Sequence, residues 1–315
     1  MPDLSINIGK LKLKNPVMAA SGTFGYAEEF KAFIDLKKLG AIVTKTITLK
    51  PRQGNPPPRT CEAPCGMLNS IGLENPGIDN FIREKLPGLK KIGVPIIVSI
   101  ASEDSPEEFV ALAKRLDKIK EVAAIELNIS CPNIKSSVVS RQSSVKTQRP
   151  LISQDPKATY RVVSSVRQAT RKTIITKLSP NVMDITEIAQ AAERGGSDAV
   201  ALINTLTGMS IDIEKRRPKL ASITGGLSGP AIRPVAVRMV WESAQKISIP
   251  IIGIGGIINL FSALEFILAG AIAISVGTAN FINPKITIEI IDGLKKYMLK
   301  HKISNIKDLI GGFKI

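Results

Sequence analysis

The 315 residues carry 43 Lys and Arg against 27 Asp and Glu, a formal charge of +16, with 44% hydrophobic but only 4% aromatic residues. Such a chain buries a large core, its three cysteines are too few for a disulfide framework, and no apolar run reaches the ~18 residues of a membrane span. The charge suits nucleic acid, anionic lipid or an anionic substrate, but the lysines are dispersed and one Trp and three Tyr offer little base stacking, which makes nucleic-acid binding the minority reading.

The chain opens on "MPDLSINIGKLKLKNP", without a charged-then-apolar leader, so a soluble cytoplasmic protein is expected, with many lysines on solvated helix faces. Its pieces "LSINIG" and "KLKLKN" predict a small hairpin ahead of the first core strand, placed to cover the N-terminal end of the fold. Eight short apolar runs come next: "NPVMAAS", "AIVTKT", "VPIIVSI", "AAIELNIS", "TIITKL", "DAVALIN", "PIIGIG" and "AIAISVG". Between them, apolar residues recur at helical spacing over Ala27–Leu39, Pro106–Ile119, Pro156–Thr170, Ile185–Arg194, Pro230–Ile247 and Leu260–Ala269. Strands that are apolar on both faces form parallel sheets covered by helices. Eight such units predict an α/β fold, a (β/α)8 TIM barrel forming one domain over residues 1–315, with a doubly wound open sheet as the runner-up.

In a barrel, chemistry gathers at the C-terminal strand ends. There this chain departs from aliphatic residues: Lys45 and Thr46 end the second run, Asn128 and Cys131 the fourth, Lys177 the fifth, Asn204 and Thr205 the sixth. Gly255 and Gly256 end the seventh and Gly277 and Thr278 the eighth, offering free backbone N–H groups to a phosphate. Any one of these also reads as a turn former or a surface residue. "GIGG" is no dinucleotide fingerprint, because Ile258 stands where the last glycine of G-x-G-x-x-G belongs. Cys61 and Cys65 lack flanking metal ligands and read as incidental thiols.

The stretches "ASGTFGYAEEF", "TKTITLKPRQGNPPPR", "GMLNSIGLENPG", "IELNISCPN", "TKLSPNV", "INTLTGM", "TGGLSGPAIRPVAVRMV", "IPIIGIGG" and "AISVGTANF" run in order from about Leu4 to Phe281. Together they resemble the dihydroorotate dehydrogenase family, and its NAD-linked class 1B catalytic subunits more than the fumarate-linked class 1A enzymes. The cysteine in "NISCPN" argues for class 1, because class 2 carries a serine base and a membrane-associating extension.

The resemblance implies an FMN barrel that oxidises dihydroorotate to orotate in pyrimidine (UMP) biosynthesis. Cys131 would be the base taking the C5 proton, since a thiolate of ordinary pKa ~8.5 serves when its site favours ionisation. Hydride would pass from C6 to the flavin, with Lys177 stabilising the charge that develops near N1. The resemblance assigns the substrate to Lys45, Asn69, Ser70, Ile71, Gly72, Leu73, Asn128, Asn133, Asn204 and Thr205. It assigns FMN to Ser21, Lys45, Thr46, Asn128, Lys177, Ile203, Gly229, Gly255, Gly256, Gly277 and Thr278, with no metal. It also implies a homodimer of catalytic chains within a heterotetramer, joined by an electron-transfer subunit carrying FAD and a 2Fe–2S cluster that passes electrons to NAD.

Two departures stand out. After "CPN" the family continues through a short glycine-rich stretch, whereas "IKSSVVSRQSSVKTQRPLISQD" is longer and holds Lys135, Arg141, Lys146 and Arg149. It reads either as a basic lid or as a polar loop. Ser99 stands where the family commonly places an asparagine near FMN. The alternatives are a fumarate-linked dihydroorotate dehydrogenase, another FMN barrel with a catalytic cysteine, of the dihydropyrimidine dehydrogenase or dihydrouridine synthase type, and a non-enzymatic basic barrel that binds RNA.

Overall fold

A computed structural model describes residues 2–102, 106–130 and 152–314. Among these residues, eight parallel strands close on themselves: Val17–Ala19, Ala41–Val43, Ile96–Ile100, Val122–Asn128, Thr173–Lys177, Ala199–Leu202, Ile251–Ile254 and Ala273–Val276. The eighth returns to the first with Ile274 opposite Val17, which rules out the open sheet. Nearly every strand residue is buried, as expected of strands packed between a filled barrel interior and an outer layer of helices.

The helices follow from spacing and caps. Pro106–Asp117 buries Phe109, Leu112, Ala113 and Leu116 on one face, with burial of each large side chain contributing roughly 1.5–3 kcal/mol. Pro156–Ala169 starts where the Asp155 carboxylate accepts from the Lys157 N–H, with Pro156 at the first helical position. Ile185–Arg194 starts likewise on Asp184, and Leu260–Leu268 starts in a capping box made by Asn259 and Ser262. The span expected as Pro230–Ile247 divides into a 3-10 turn, Pro230–Ile232, and a helix, Arg233–Ala244. Two helical stretches were not singled out from sequence: Gly77–Lys90, which includes a π-helical turn at Phe81–Lys85, and Ile286–Lys300.

The helix expected over Ala27–Leu39 is absent. Ala27 adopts a left-handed φ of 68°, and only the 3-10 turns Glu28–Phe30 and Leu36–Lys38 form. Phe30 instead stacks on buried Phe24 with ring centroids 3.9 Å apart. The extended Asp35 captures the Lys37 N–H with its side chain, and this local bond competes with helix continuation.

The amino-terminal hairpin pairs Ile6–Ile8 with Leu11–Leu13 and buries Ile6, Ile8 and Leu13. Its turn residue Gly9 has φ 54°, and a Cβ there would lie 2.8 Å from the Cβ of Asp198, the residue before the sixth barrel strand. The hairpin therefore sits at the N-terminal end of the barrel. At the opposite end lies an antiparallel sheet that the apolar pattern does not announce, ordered Leu206–Met209, Thr224–Ser228, Gly66–Asn69 and Thr60–Ala63. No helix among the described residues is long and apolar enough to cross a membrane.

Tyr26, packed 5.8 Å from Phe81, is buried, and its hydroxyl has no hydrogen-bond partner among the described residues. Burial, helped by Glu29, pushes its pKa from 10.0 up to about 12. The folded state therefore holds the phenolic proton more tightly than the unfolded chain does. This contribution is complete below pH 10 and is lost as pH rises through about 12. Tyr26→Phe is expected to hold or raise stability at neutral pH, by up to roughly 1 kcal/mol, and to flatten its decline in that alkaline window. Urea unfolding at pH 8 and pH 11 measures both effects; a loss of stability at pH 8 would contradict this account of the buried hydroxyl.

Candidate active site

A cavity of about 370 Å³ opens at the C-terminal ends of the barrel strands. This volume is in the range of small-molecule and cofactor sites. It forms because the polar residues that interrupt the apolar runs fall at the last strand pairing or within three positions past it, where the barrel no longer needs aliphatic filling.

Parallel pairing sets Asn128, the last residue of the fourth strand, opposite Lys177, the last residue of the fifth. Asn128 donates to Thr46 Oγ1 at 3.1 Å and accepts from Ser130 Oγ at 3.1 Å. Asn204 Nδ2 donates to Ser130 Oγ at 2.8 Å, and the Asn204 amide oxygen accepts from the Thr205 N–H. Thr46 Oγ1 further bonds Ser21 Oγ at 3.0 Å and Ser99 Oγ at 2.9 Å. These bonds join residues from five strand ends, so each amide is held in one orientation. Ser99 is fully buried and does not line the cavity; it braces Thr46 from behind.

Two lysines face this cavity. Lys177 is 5% exposed and Lys45 is half-buried, and neither ammonium has an ion pair or hydrogen bond among the described residues. A buried ammonium without a partner is costly, so its placement suits an electronegative or anionic ligand. Across the cavity, Gly256 has φ 69°, and a Cβ there would lie 2.8 Å from the Gly229 carbonyl oxygen. A Cβ on Gly277 would meet no atom closer than 3.9 Å, which leaves its backbone open to the cavity. Thr278 Oγ1 donates to Ser228 Oγ at 2.8 Å. Open glycine backbone on one side and a buried cation on the other fit a flat, phosphorylated cofactor.

Of the residues singled out from sequence, Ser21, Lys45, Thr46, Asn69, Ile71, Gly72, Leu73, Asn128, Lys177, Ile203, Asn204, Thr205, Gly229, Gly255, Gly256, Gly277 and Thr278 all line this cavity. Ser70 does not. It is 1% exposed, donates its N–H to the Arg59 carbonyl, and accepts from Asn55 Nδ2 at 2.9 Å, which anchors the loop that presents its neighbours. Cys131, Asn133 and the basic stretch of residues 134–151 lie outside the described residues. Cys61 is half-buried and Cys65 exposed, both as free thiols.

Sequence reasoning missed Arg59 and Glu74, an ion pair at 2.7 Å on the cavity rim, and Ser228 and Phe281. It also missed the role of Gly225 and Gly226. A Cβ on Gly226 would lie 2.0 Å from Thr205 Oγ1, so only glycine lets the antiparallel sheet approach that side chain. Adjacent glycines inside a strand were the available signal of such a close approach.

Comparison with known proteins agrees with this geometry. Residues 3–298 match the family described as dihydroorotate dehydrogenase. The chain is 54% identical over 310 residues to the "Dihydroorotate dehydrogenase B (NAD(+)), catalytic subunit" of Trichlorobacter lovleyi, covering 98% of both chains. It is 50% identical over 315 residues to the protein of the same name in Bacteroides thetaiotaomicron, covering 100% of each. The crystal structure of DHODH in complex with ferulenol from Eimeria tenella shares the fold, with a TM-score of 0.79 at 23% identity over 99% of this chain and 89% of that one. With its barrel, its strand-end polar groups and a match along nearly its whole length, the chain belongs to the dihydroorotate dehydrogenase family.

Proposed function

We propose that this chain is the catalytic subunit of an NAD-linked dihydroorotate dehydrogenase, a single FMN-binding domain over residues 1–315 that oxidises dihydroorotate to orotate in pyrimidine biosynthesis. One observation carries the reading: Thr46, Asn128 and Asn204, joined through the buried Ser130 hydroxyl in a hydrogen-bonded polar chain, line one cavity with two lysines. Fixed amide donors and acceptors match the imide edge and carboxylate of a pyrimidine acid, and the lysines match its charge.

FMN, when bound, supplies the two-electron acceptor. Gly255, Gly256, Gly277 and Thr278 would hold its phosphate, and Lys45 and Lys177 would face its ring. The protein's own work is to orient the ring carbons and take a proton from one of them. Asn128 and Asn204 both hold the Ser130 hydroxyl, and Ser130 immediately precedes Cys131 in the sequence. The Cys131 thiolate would accept the proton at Sγ, while the Lys177 ammonium stabilises negative charge arriving in the cavity. The relatives are named catalytic subunits. Electrons would therefore leave through a partner carrying FAD and a 2Fe–2S cluster, in a heterotetramer built on two catalytic chains, with NAD as the final acceptor.

Acid release from the purified chain should yield FMN, and a folded protein that cannot be reconstituted with any flavin would end the cofactor assignment. Cys131→Ser should keep the flavin yet slow its bleaching by dihydroorotate at least ~100-fold, with the pH dependence moved upward, because a hydroxyl is the weaker base. Stopped-flow absorbance gives the rate, and an unaltered rate would remove Cys131 from the mechanism. The lone chain should turn over dihydroorotate with an artificial dye, gaining NAD only when the partner subunit is added. Efficient turnover with fumarate by the lone chain would place it with class 1A instead.

A further inference from the structure

Among the described residues the buried set contains two charged side chains, Glu126 at 3% exposure and Lys177 at 5%. They lie on neighbouring barrel strands. The fourth and fifth strands pair without a bulge from Ala124 opposite Thr173 to Asn128 opposite Lys177. Side chains alternate between faces along a strand, and both Asn128 and Lys177 line the cavity. Glu126, two residues before Asn128, therefore points to the same inner face, diagonal to Lys177 and one layer deeper in the barrel. Its direct partners across the sheet are Ser99 and Ile175, neither of them charged.

Neither charge is satisfied locally. Glu126 Oε1 is buried with no hydrogen-bond partner, and neither Glu126 nor Lys177 forms an ion pair within 4.0 Å among the described residues. An isolated carboxylate in an apolar interior is costly, and an opposite charge in the same weakly screened interior offsets that cost even without contact. The geometry points to Glu126 as the counter-charge of Lys177, a positioning residue that sets how much positive field the lysine presents to a ligand in the cavity above. For a bound flavin, Glu126 thereby holds the reduction potential down. This consequence rests on the proposed FMN site, whereas the pairing itself does not.

The test joins a potential measured on the flavin-loaded chain to a stability cycle on the flavin-free chain. Glu126→Gln keeps the shape but removes the negative charge, so it should favour the reduced flavin at least tenfold, about 30 mV for a two-electron couple. Lys177→Gln should shift the equilibrium the opposite way, and Glu126→Asp, which keeps the charge, should stay within threefold of the parent. A Glu126→Gln potential within threefold of the parent would overturn the assignment of potential control.

In urea unfolding of the flavin-free chain, each single variant should lose stability, and the double variant Glu126→Gln/Lys177→Gln should recover much of the loss, because it leaves no charge uncompensated. Strictly additive losses would overturn the pairing. If Glu126→Gln alone does not fold, folding of the double variant supports the pairing and failure of both defeats it. If the chain takes up no flavin, the FMN reading fails and the flavin-free cycle still decides the pairing.

Discussion

The unbroken parallel register between Val122–Asn128 and Thr173–Lys177 is the constraint on which the site depends. It sets Asn128 beside Lys177, and through Asn128 it orients Ser130, Asn204 and Thr46. A slip of one residue would turn the shifted strand's Asn128 or Lys177 toward the helices and break their opposition, because strand side chains alternate with a period of two. The register holds because the opposite face is also committed: Ile125 and Leu127 are fully buried in the apolar core, and Thr176 bonds Ser197 at 2.9 Å. The same pairing that stabilises the barrel therefore aims the polar groups.

A second consequence concerns how polar groups are held at the top of an apolar barrel. Thr46 is the hub, since its hydroxyl meets Ser21, Ser99 and Asn128. A hydroxyl can donate once and accept twice, and three partners use that capacity fully. A longer side chain at position 99 would compete for the room that Ser99 leaves behind Thr46. The short Ser99 hydroxyl thus has a supporting role. It braces a cavity residue from the buried side and makes no part of the lining itself.

The barrel and most of the cavity's lining were legible in the sequence for one reason. Buried parallel strands read as unbroken apolar runs, so a lysine, asparagine or glycine pair ending such a run is conspicuous. Elements built from distant pieces were not legible. The sheet that brings Asn69 to Gly226 joins residues 157 positions apart, and its short strands mix apolar residues with glycine and polar ones instead of forming an apolar run. Ala27–Leu39 carried helical spacing, but the left-handed Ala27 and the Phe24–Phe30 stack took the chain elsewhere. Ser70 shares its stretch with cavity residues yet turns toward Asn55, a difference of facing that composition does not encode. Glu126 was hidden inside an otherwise apolar run and read simply as strand.

The Gly9 turn against Asp198 also bears on the order in which the molecule can be assembled. Asp198 accepts from Arg167 at 2.9 Å and from the Ile174 N–H at 2.8 Å, so the surface that receives the hairpin is itself built from residues 167–198. Asp3 in turn pairs with Asn305 and exchanges backbone bonds with Ser304 and Ile306. On a ribosome, which releases the amino terminus first, the first dozen residues thus wait for partners made much later, and closing so long a loop carries an entropic cost. The underside of the barrel is accordingly completed late, and the apolar residues of the hairpin are what a nascent chain must keep from other surfaces until then.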